Sequence, residues 1–354
     1  MVNRRQLSEE FKGKRVFITG HTGFKGSWLT MILYQFGAIV KGYALPPKTE
    51  QDIFYLIQPE IQQDSIIADV RDKGRLAEEI IAFQPDFIFH LAAQPLVGIS
   101  YKEPHTTIEV NVMGTVNLFE AIRKLKKKCT TIIITTDKVY KNQHWHHPYR
   151  ESDVLGGYDP YSASKSASEL IIESYRDSFF NVLDVELHGK AIAVARAGNV
   201  IGGGDYSEDR LIPDIIRSIQ SNSAIGLRNP SYVRPWQHVL DALNGYLILA
   251  SSLNLNPKEI SGAWNFGPNA TDLVTVNDVV QIALSIFGKE SLVQKKNSEF
   301  HETELLMLDN SRAKNKLNWN PIWNPKEAII HTLNWYLNPS FETTVKQINH
   351  FYEI

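Results

Sequence analysis

Short β-branched runs alternate with longer helical stretches through the first two hundred residues, and this rhythm restricts the fold more than any other feature of the chain. The runs are RVFIT (15–19), AIVKGYAL (38–45), SIIADV (65–70), FIFHLAA (87–93), TTIIITTD (130–137) and AIAVARAGNV (191–200). Their near-continuous apolar character suits strands buried on both faces of a parallel sheet. Between them SWLTMILYQFG, with Gly37 as its C-cap, and GRLAEEIIAFQ carry helical patterns. An α/β protein with a doubly wound parallel sheet follows, and such sheets bind ligands at the carboxyl ends of their strands.

Beyond Val200 the pattern changes. IGGGDYSEDRLIPD is glycine-rich and acidic, a loop rather than a strand, and LIPDIIRSIQS and VNDVVQIALSIFG then read as helices. Short segments containing Trp236, Trp264 and Pro268 interrupt them. With 354 residues the chain has room for two lobes. Residues 1–200, with roughly 236–262 returning, are expected to form a dinucleotide-binding domain. Residues 201–235 and 263–354 are expected to form a smaller α/β substrate-binding lobe.

Composition removes several classes of function. A formal charge of -2 provides no basic field for nucleic acid, and the run Lys126 to Lys128 reads as a solvated helix end. The single cysteine, Cys129, excludes an internal disulfide and fits a reducing compartment. MVNRRQLSEEFKGKR is too charged for the apolar core of a signal peptide, and no later run is apolar enough to span a bilayer. A soluble, cytoplasmic protein is expected. His144, His146 and His147 cluster in QHWHHPYRESD, but no carboxylate or cysteine completes a ligand spacing, so no metal is expected.

TGHTGFKGSWL follows the first strand directly and opens the first helix. Gly20 would allow the tight turn, Gly23 the approach of a pyrophosphate to the backbone, and Gly26 close packing of helix on sheet. Placed between a strand and a helix, these glycines point to a Rossmann-like dinucleotide site. Lys25 reads as a solvated lysine within reach of a phosphate. The second strand ends KGYALPPKTEQD, with no carboxylate for the adenosine ribose, which leaves NAD and NADP both open since Lys48 would suit an extra phosphate. Asp69, in ADVRD, suits either the adenine amino group or a helix N-cap.

GYDPYSASKSASELIIESY places Tyr161 and Lys165 at i and i+4, on one helix face, with Pro160 and Ser162 suited to its start. A nearby ammonium is expected to lower the phenol from its usual pKa of about 10, so that tyrosinate can take a proton from a sugar hydroxyl. TGHTGFKG, HLAAQPLV, NVMGT, TTDKVY, YSASK and VRPWQHVLD together resemble the extended short-chain dehydrogenase/reductase family of nucleotide-sugar enzymes. GHTGFKGSWL, AAQPLV, TTDKVY and GYDPYSASK are similar to its branch of CDP-glucose 4,6-dehydratases in particular.

The resemblance implies NAD as cofactor, in a cleft lined by Gly20, Gly23, Phe24, Gly26, Asp69, Val70, Leu91, Ala92 and Ala93, with Tyr161 and Lys165 beside the nicotinamide. It implies that Thr136, Tyr161 and Lys165 serve hydride transfer, and that Asn199, Leu211, Arg234 and Asn269 face the sugar nucleotide. A guanidinium suits a diphosphate, so Arg234 is the best founded of these, with a surface salt bridge as its alternative; core packing and a turn account almost as well for Leu211 and Asn269. The implied reaction oxidises C4 of CDP-glucose, loses water across C5 and C6, and returns hydride to C6. The product, CDP-4-keto-6-deoxyglucose, would feed deoxy-sugar and O-antigen (lipopolysaccharide) synthesis.

Elimination needs an acid for the C6 hydroxyl and a base for the C5 proton. Asp137 is the candidate acid, provided that burial or charge crowding raises its pKa. Lys138 stands where related dTDP-glucose dehydratases carry glutamate; it serves either as a base, if desolvated to the free amine, or as a cation beside the C4 enolate. His21 either fills space beside the cofactor or loosens its binding. Two other readings remain: a nucleotide-sugar 4-epimerase, which needs no elimination groups, and a non-catalytic dinucleotide-binding scaffold. Relatives associate through helices near residues 106–126 and 161–178, which implies a homodimer or tetramer.

Overall fold

The computed structural model describes residues 6–61, 63–290, 293–295 and 306–354; the first five residues of the charged N-terminal stretch lie outside this range. The alternating apolar runs form β1 (Arg15–Thr19), β2 (Ile39–Ala44), β3 (Asp64–Ile67), β4 (Phe87–His90), β5 (Cys129–Thr136) and β6 (Lys190–Ala197). A seventh strand, β7 (Gly262–Phe266), completes the sheet, whose order is β7-β6-β5-β4-β1-β2-β3 with every pairing parallel. The expected second lobe therefore does not begin at residue 263, because residues 263–266 pair with Val194–Ala197 of β6.

The helices are α1 (Phe24–Gln35), α2 (Lys73–Phe83), α3 (Gly114–Lys124), α4 (Pro160–Phe179), α5 (Leu211–Gln220), α6 (Val239–Leu255) and α7 (Val276–Phe287), with further short helices and two near the C-terminus. Period-two alternation divides the strand side chains between two apolar layers. Val16, Ile18, Phe87, Phe89, Ile132 and Ile134 pack with Trp28, Leu29 and Met31 of α1 and with Leu243 and Leu247 of α6. Phe17, Ile88, Ile133 and Ile192 pack instead with Leu76 and Ile80 of α2, Leu118 and Ile122 of α3, and Ile172 of α4. Both faces are covered, which accounts for strands that read as continuous apolar runs.

The segments after β6 form two-residue and three-residue ladders rather than a second large sheet. Val200–Ile201 pairs with Gln237–His238, Val233–Arg234 with Val274–Thr275, and Ile225–Leu227 with Val293–Lys295. α5 and α7 carry Ile212, Ile215, Ile216, Val279 and Val280 into the α1 layer of the core. Gly37, at φ +74°, follows α1 as its sequence suggests, and Thr275 and Asp278 form a reciprocal cap on α7.

The strand order reverses between β1 and β4, so the loops that leave these two strands bound one crevice. They touch there: Gly20 lies at φ +79°, and a Cβ on it would stand 2.7 Å from the amide nitrogen of Ala92. Gly26 is similarly constrained, since its Cβ would fall 2.1 Å from the Gly20 carbonyl oxygen. Among the described residues, no helix is long and apolar enough to cross a membrane.

Candidate active site

The crevice fits a dinucleotide. Gly23 precedes α1 as its N-cap and makes no side-chain cap, so the first amides of the helix are left for another acceptor. A Cβ on Gly23 would meet the Gly20 carbonyl oxygen at 3.5 Å, an ordinary van der Waals contact, so the position could hold a small side chain without a clash. Leu91, Ala92 and Ala93, all half-buried, form the opposite lip; the Leu91 amide donates to Thr19 O at 3.0 Å. Phe24 lies where a Cβ on Gly202 would come within 3.0 Å of its ring, and Val70 packs against Gly114.

Tyr43, one residue before the end of β2, stands near the usual place of a ribose-binding carboxylate; it is buried, and its hydroxyl donates to Asp69 O at 2.9 Å. Asp69 is not the helix cap: Asp72 takes that position on α2 by accepting from the Arg75 amide at 3.0 Å. The Asp69 carboxylate pairs with Arg71 at 2.7 Å, which brings it below the usual carboxylate range despite partial burial. Lys48 is exposed. His21 is fully buried under Gly42, with Nε2 2.6 Å from Ser65 Oγ, and burial lowers its pKa to about 4.

β5 delivers Thr136 and Asp137 to the mouth of this crevice, and α4 brings Tyr161 and Lys165 to them. All four are less than a tenth exposed. α4 starts cleanly because Asp159 caps it, accepting from Ser162 N at 3.0 Å, and Pro160 occupies the first turn. Asn111 of NVMGT fixes its rotation by donating to Ser164 Oγ at 2.8 Å and accepting from the Gln94 amide at 2.9 Å. Thr136 Oγ1 donates to Asp137 Oδ1 at 2.9 Å and also interacts with the Tyr161 hydroxyl.

The protonation states differ in part from expectation. Asp137 is raised by burial, as a general acid requires. Tyr161 is pushed up to about 12 rather than lowered, because burial dominates and Asp137 adds to it. Lys165 donates to Ile134 O at 3.2 Å, and burial lowers it to about 8. Lys138 is exposed, with its amide 3.3 Å from Thr136 Oγ1. Lys25 is not a solvated lysine. It is half-buried, and burial with Arg210 lowers it to about 7 while Asp137 opposes that shift.

Beneath the site lies a buried ion pair that the sequence did not reveal. Glu169, one turn beyond Lys165, accepts from Arg196 Nε at 2.9 Å and from Thr135 Oγ1 at 2.6 Å. Arg196 also donates to the Tyr140 hydroxyl at 2.7 Å and to Glu151 O at 3.1 Å, tying the loop after β5 to β6. Only the spacing of Lys165 and Glu169 on one helix face pointed toward it.

The four residues expected to face the sugar nucleotide lie on separate segments. Asn199 O accepts from the Gln237 amide at 3.0 Å, and Leu211, half-buried against the core, opens α5. Arg234 is half-buried, with its guanidinium 5.2 Å from the Tyr232 ring centre. Asn269 is engaged in a turn, donating to Asp272 at 3.1 Å and accepting from Lys314 at 2.7 Å. His144, His146 and His147 are exposed, and no cluster of metal-ligating side chains occurs among the described residues.

The sequence signature of the GDP-mannose 4,6-dehydratase family matches residues 17–332. The chain belongs to this family. CDP-glucose 4,6-dehydratase of Salmonella typhimurium is 45% identical over 328 residues, covering 92% of this chain and 91% of that protein. UDP-glucose 4-epimerase of Mycoplasma pneumoniae is 28% identical, over 71% of this chain and 75% of its own. The fold agrees with a solved member, dTDP-glucose 4,6-dehydratase from Streptomyces venezuelae with NAD bound, at a TM-score of 0.76 and 21% identity over 93% of this chain and 99% of that one. Membership places the chain among the extended short-chain dehydrogenases/reductases, with the Rossmann-like sheet described above.

Proposed function

We propose that this chain is an NAD-dependent CDP-glucose 4,6-dehydratase, a hydro-lyase that forms CDP-4-keto-6-deoxyglucose. The observation that carries the reading is Asp137, a buried carboxyl raised toward its acid form and joined through Thr136 to the Tyr161–Lys165 pair. The 45% identity to a CDP-glucose 4,6-dehydratase supports both reaction and nucleotide. A 4-epimerase has no use for a protonated carboxyl beside C6, and a scaffold has no use for the full set.

When bound, NAD supplies the redox couple that takes two electrons from C4 and returns them at C6. The glycine loop, with Phe24, Asp69, Val70 and Leu91 to Ala93, is assigned to holding it. Tyr161, as a phenolate stabilised by Lys165, receives the proton of the C4 hydroxyl and becomes the neutral phenol, while Thr136 steadies the substrate oxygen. The C4 ketone acidifies C5–H. Lys138, hydrated at the cleft mouth, is assigned to stabilising the enolate as a cation while water takes the C5 proton. Asp137 protonates the departing C6 hydroxyl. Arg234, Asn199, Leu211 and Asn269 are assigned to the sugar nucleotide, held between the sheet and a lobe of residues 201–235 and 267–354.

The reading extends to a cytoplasmic homodimer or tetramer that serves deoxy-sugar synthesis for a surface lipopolysaccharide. Ile108 and Met113, with Leu170 on α4, leave about half of their surface exposed on the helices expected to associate. The test is a screen of CDP-, UDP-, GDP- and dTDP-hexoses for keto-sugar formation. CDP-glucose should give a 4-keto-6-deoxy sugar; formation of CDP-galactose, or no turnover of any nucleotide sugar, would reject the proposal.

A further inference from the structure

Thr19 and His90 are register partners at the ends of β1 and β4, the two strands between which the sheet order reverses. Alternation from Phe17 and Ile88 turns both side chains to the face covered by α2 and α3, below the loops that bound the crevice. The apolar layer ends there in polar groups. The Thr19 hydroxyl lies 2.7 Å from His90 Nδ1, and the Thr115 hydroxyl, on α3, lies 3.3 Å from His90 Nε2. Thr19, His90 and Thr115 are each 2% exposed or less. Burial, with Lys165 nearby, lowers His90 to about 3, so its ring is neutral.

The chain of bonds continues at both ends. Thr19 Oγ1 accepts from the Ala92 amide at 3.3 Å, on the lip opposite the glycine loop. Thr115 Oγ1 donates to the Asn111 carbonyl at 2.8 Å, in a wide helical turn, Glu109–Met113, that the Gly114 amide closes on the Glu109 carbonyl. The Asn111 side chain holds the lip a second time, accepting from the Gln94 amide at 2.9 Å and donating to the Gln94 carbonyl at 3.2 Å. It also donates to Ser164 Oγ at 2.8 Å, and Ser164 donates to the Tyr161 carbonyl at 2.7 Å. A carbonyl cannot donate, so the direction is fixed. Thr115 gives its only hydroxyl proton to Asn111 O and must accept from His90 Nε2–H. The neutral ring then accepts at Nδ1 from Thr19, whose oxygen is left to accept from the Ala92 amide.

We propose that His90 is a positioning residue: through this one-way chain of hydrogen bonds it sets the spacing between the cofactor lip and the Tyr161–Lys165 face of α4, and with it the alignment of the sugar for hydride transfer. This rests on the dehydratase reading. Asn111 ties the lip to α4 at Gln94 and Ser164, and His90 ties the same wide turn to the lip at Ala92. The lip is thus held at two points, and the His90 chain holds the one packed against Gly20. A phenyl ring at residue 90 would fill the same space but leave the Thr19 and Thr115 hydroxyls without the ring nitrogens. A shift of about 1 Å between reacting atoms costs up to about 100-fold in rate, so loosening the lip should be felt in the chemical step.

Two measurements test this. In protein labelled with nitrogen-15 in its histidine rings, the NMR signals lost in His90→Phe identify His90; they should show a neutral Nε2–H tautomer that does not titrate between about pH 5 and pH 9. An Nδ1–H tautomer, or an imidazolium in that range, would overturn the chain. The second measurement is 4-keto-6-deoxy sugar formation from CDP-glucose by His90→Phe, Thr115→Val and the double variant, each saturated with NAD. Each single variant should lower kcat by about 10- to 100-fold, leave KM for CDP-glucose within about twofold, and raise the C4-deuterium isotope effect on kcat. The double variant should be no slower than the slower single one, because both residues belong to one chain. Should His90→Phe not fold, Thr115→Val carries the same prediction. Unchanged kcat, a rate loss that follows only the folded fraction, or losses that multiply in the double variant would overturn the role of His90. If the unaltered protein forms no keto sugar, the dehydratase reading fails and the role in hydride transfer with it, whereas the histidine spectrum still decides the chain itself.

Discussion

Replacing Glu169 with glutamine keeps its shape and removes its charge. Glu169 and Arg196 are each only 4% exposed along their side chains, so the guanidinium would lose its counter-ion with no water to replace it. Breaking a buried pair from one side costs about 3–5 kcal/mol, against a total stability of about 5–15 kcal/mol for a folded protein. The Tyr140 hydroxyl, at 2.7 Å, and the Glu151 carbonyl, at 3.1 Å, still accept from Arg196, so the lower end of that range, about 3 kcal/mol, is expected. That corresponds to roughly a 150-fold fall in the folding equilibrium constant. Urea unfolding followed by tryptophan fluorescence measures it, and the double variant Glu169→Leu/Arg196→Met should recover much of the loss, because no buried charge is then unpaired. The site should suffer as well, since Thr135 loses its carboxylate partner next to Thr136. A loss below about 1 kcal/mol in Glu169→Gln, or a double variant no better than the single, would refute the reasoning.

Gly23→Ala should fold normally, since its φ is -77° and the new Cβ finds space, but should weaken NAD binding by calorimetry, whereas Gly20→Ala should also lower the melting temperature because of its φ of +79° and the clash with Ala92. Asp137→Asn should slow product formation by about 10²–10⁴-fold. It should also stabilise the fold at neutral pH: a carboxyl raised by burial carries no penalty below its unfolded pKa of about 4, and its penalty is complete above its folded value. His21, lowered from 6.5 to about 4, stays neutral in the fold while the unfolded chain takes a proton; stability should therefore be complete above pH 6.5 and fall by about 3 kcal/mol as pH drops to 4, with His21→Asn flattening that slope in urea titrations. Lys138→Ala should retain C4 oxidation and lose exchange of the C5 hydrogen with solvent deuterium, as followed by NMR; undiminished exchange would exclude Lys138 from the C5 step.

The sheet was legible because burial on both faces leaves each strand as a continuous apolar run. β7 escaped notice because GAWNF is short, begins at Gly262 with φ +111° and includes Asn265, whose side chain donates to Tyr149 O at 2.9 Å. Its place beside β6 depends on the long return through α6, which no local pattern encodes. The Thr136, Tyr161 and Lys165 set was legible from motif and helix spacing. Its electrostatics were not, since the rise of Tyr161 and the fall of Lys25 follow from burial in three dimensions. Glu169 and Arg196 stand 27 residues apart, and in sequence each is merely one charge among others. Asp69 was read as a possible cap from its residue type, and only the turn geometry shows that Asp72 takes that place.

The central claim is that oxidation, loss of water and reduction occur on one bound sugar. CDP-glucose carrying deuterium at C4, incubated with the protein and NAD in ordinary water, tests this most directly. The account predicts CDP-4-keto-6-deoxyglucose with the C4 deuterium at C6 and a solvent hydrogen at C5. A product with no deuterium at C6, or CDP-galactose with its C4 label returned to C4, would contradict it.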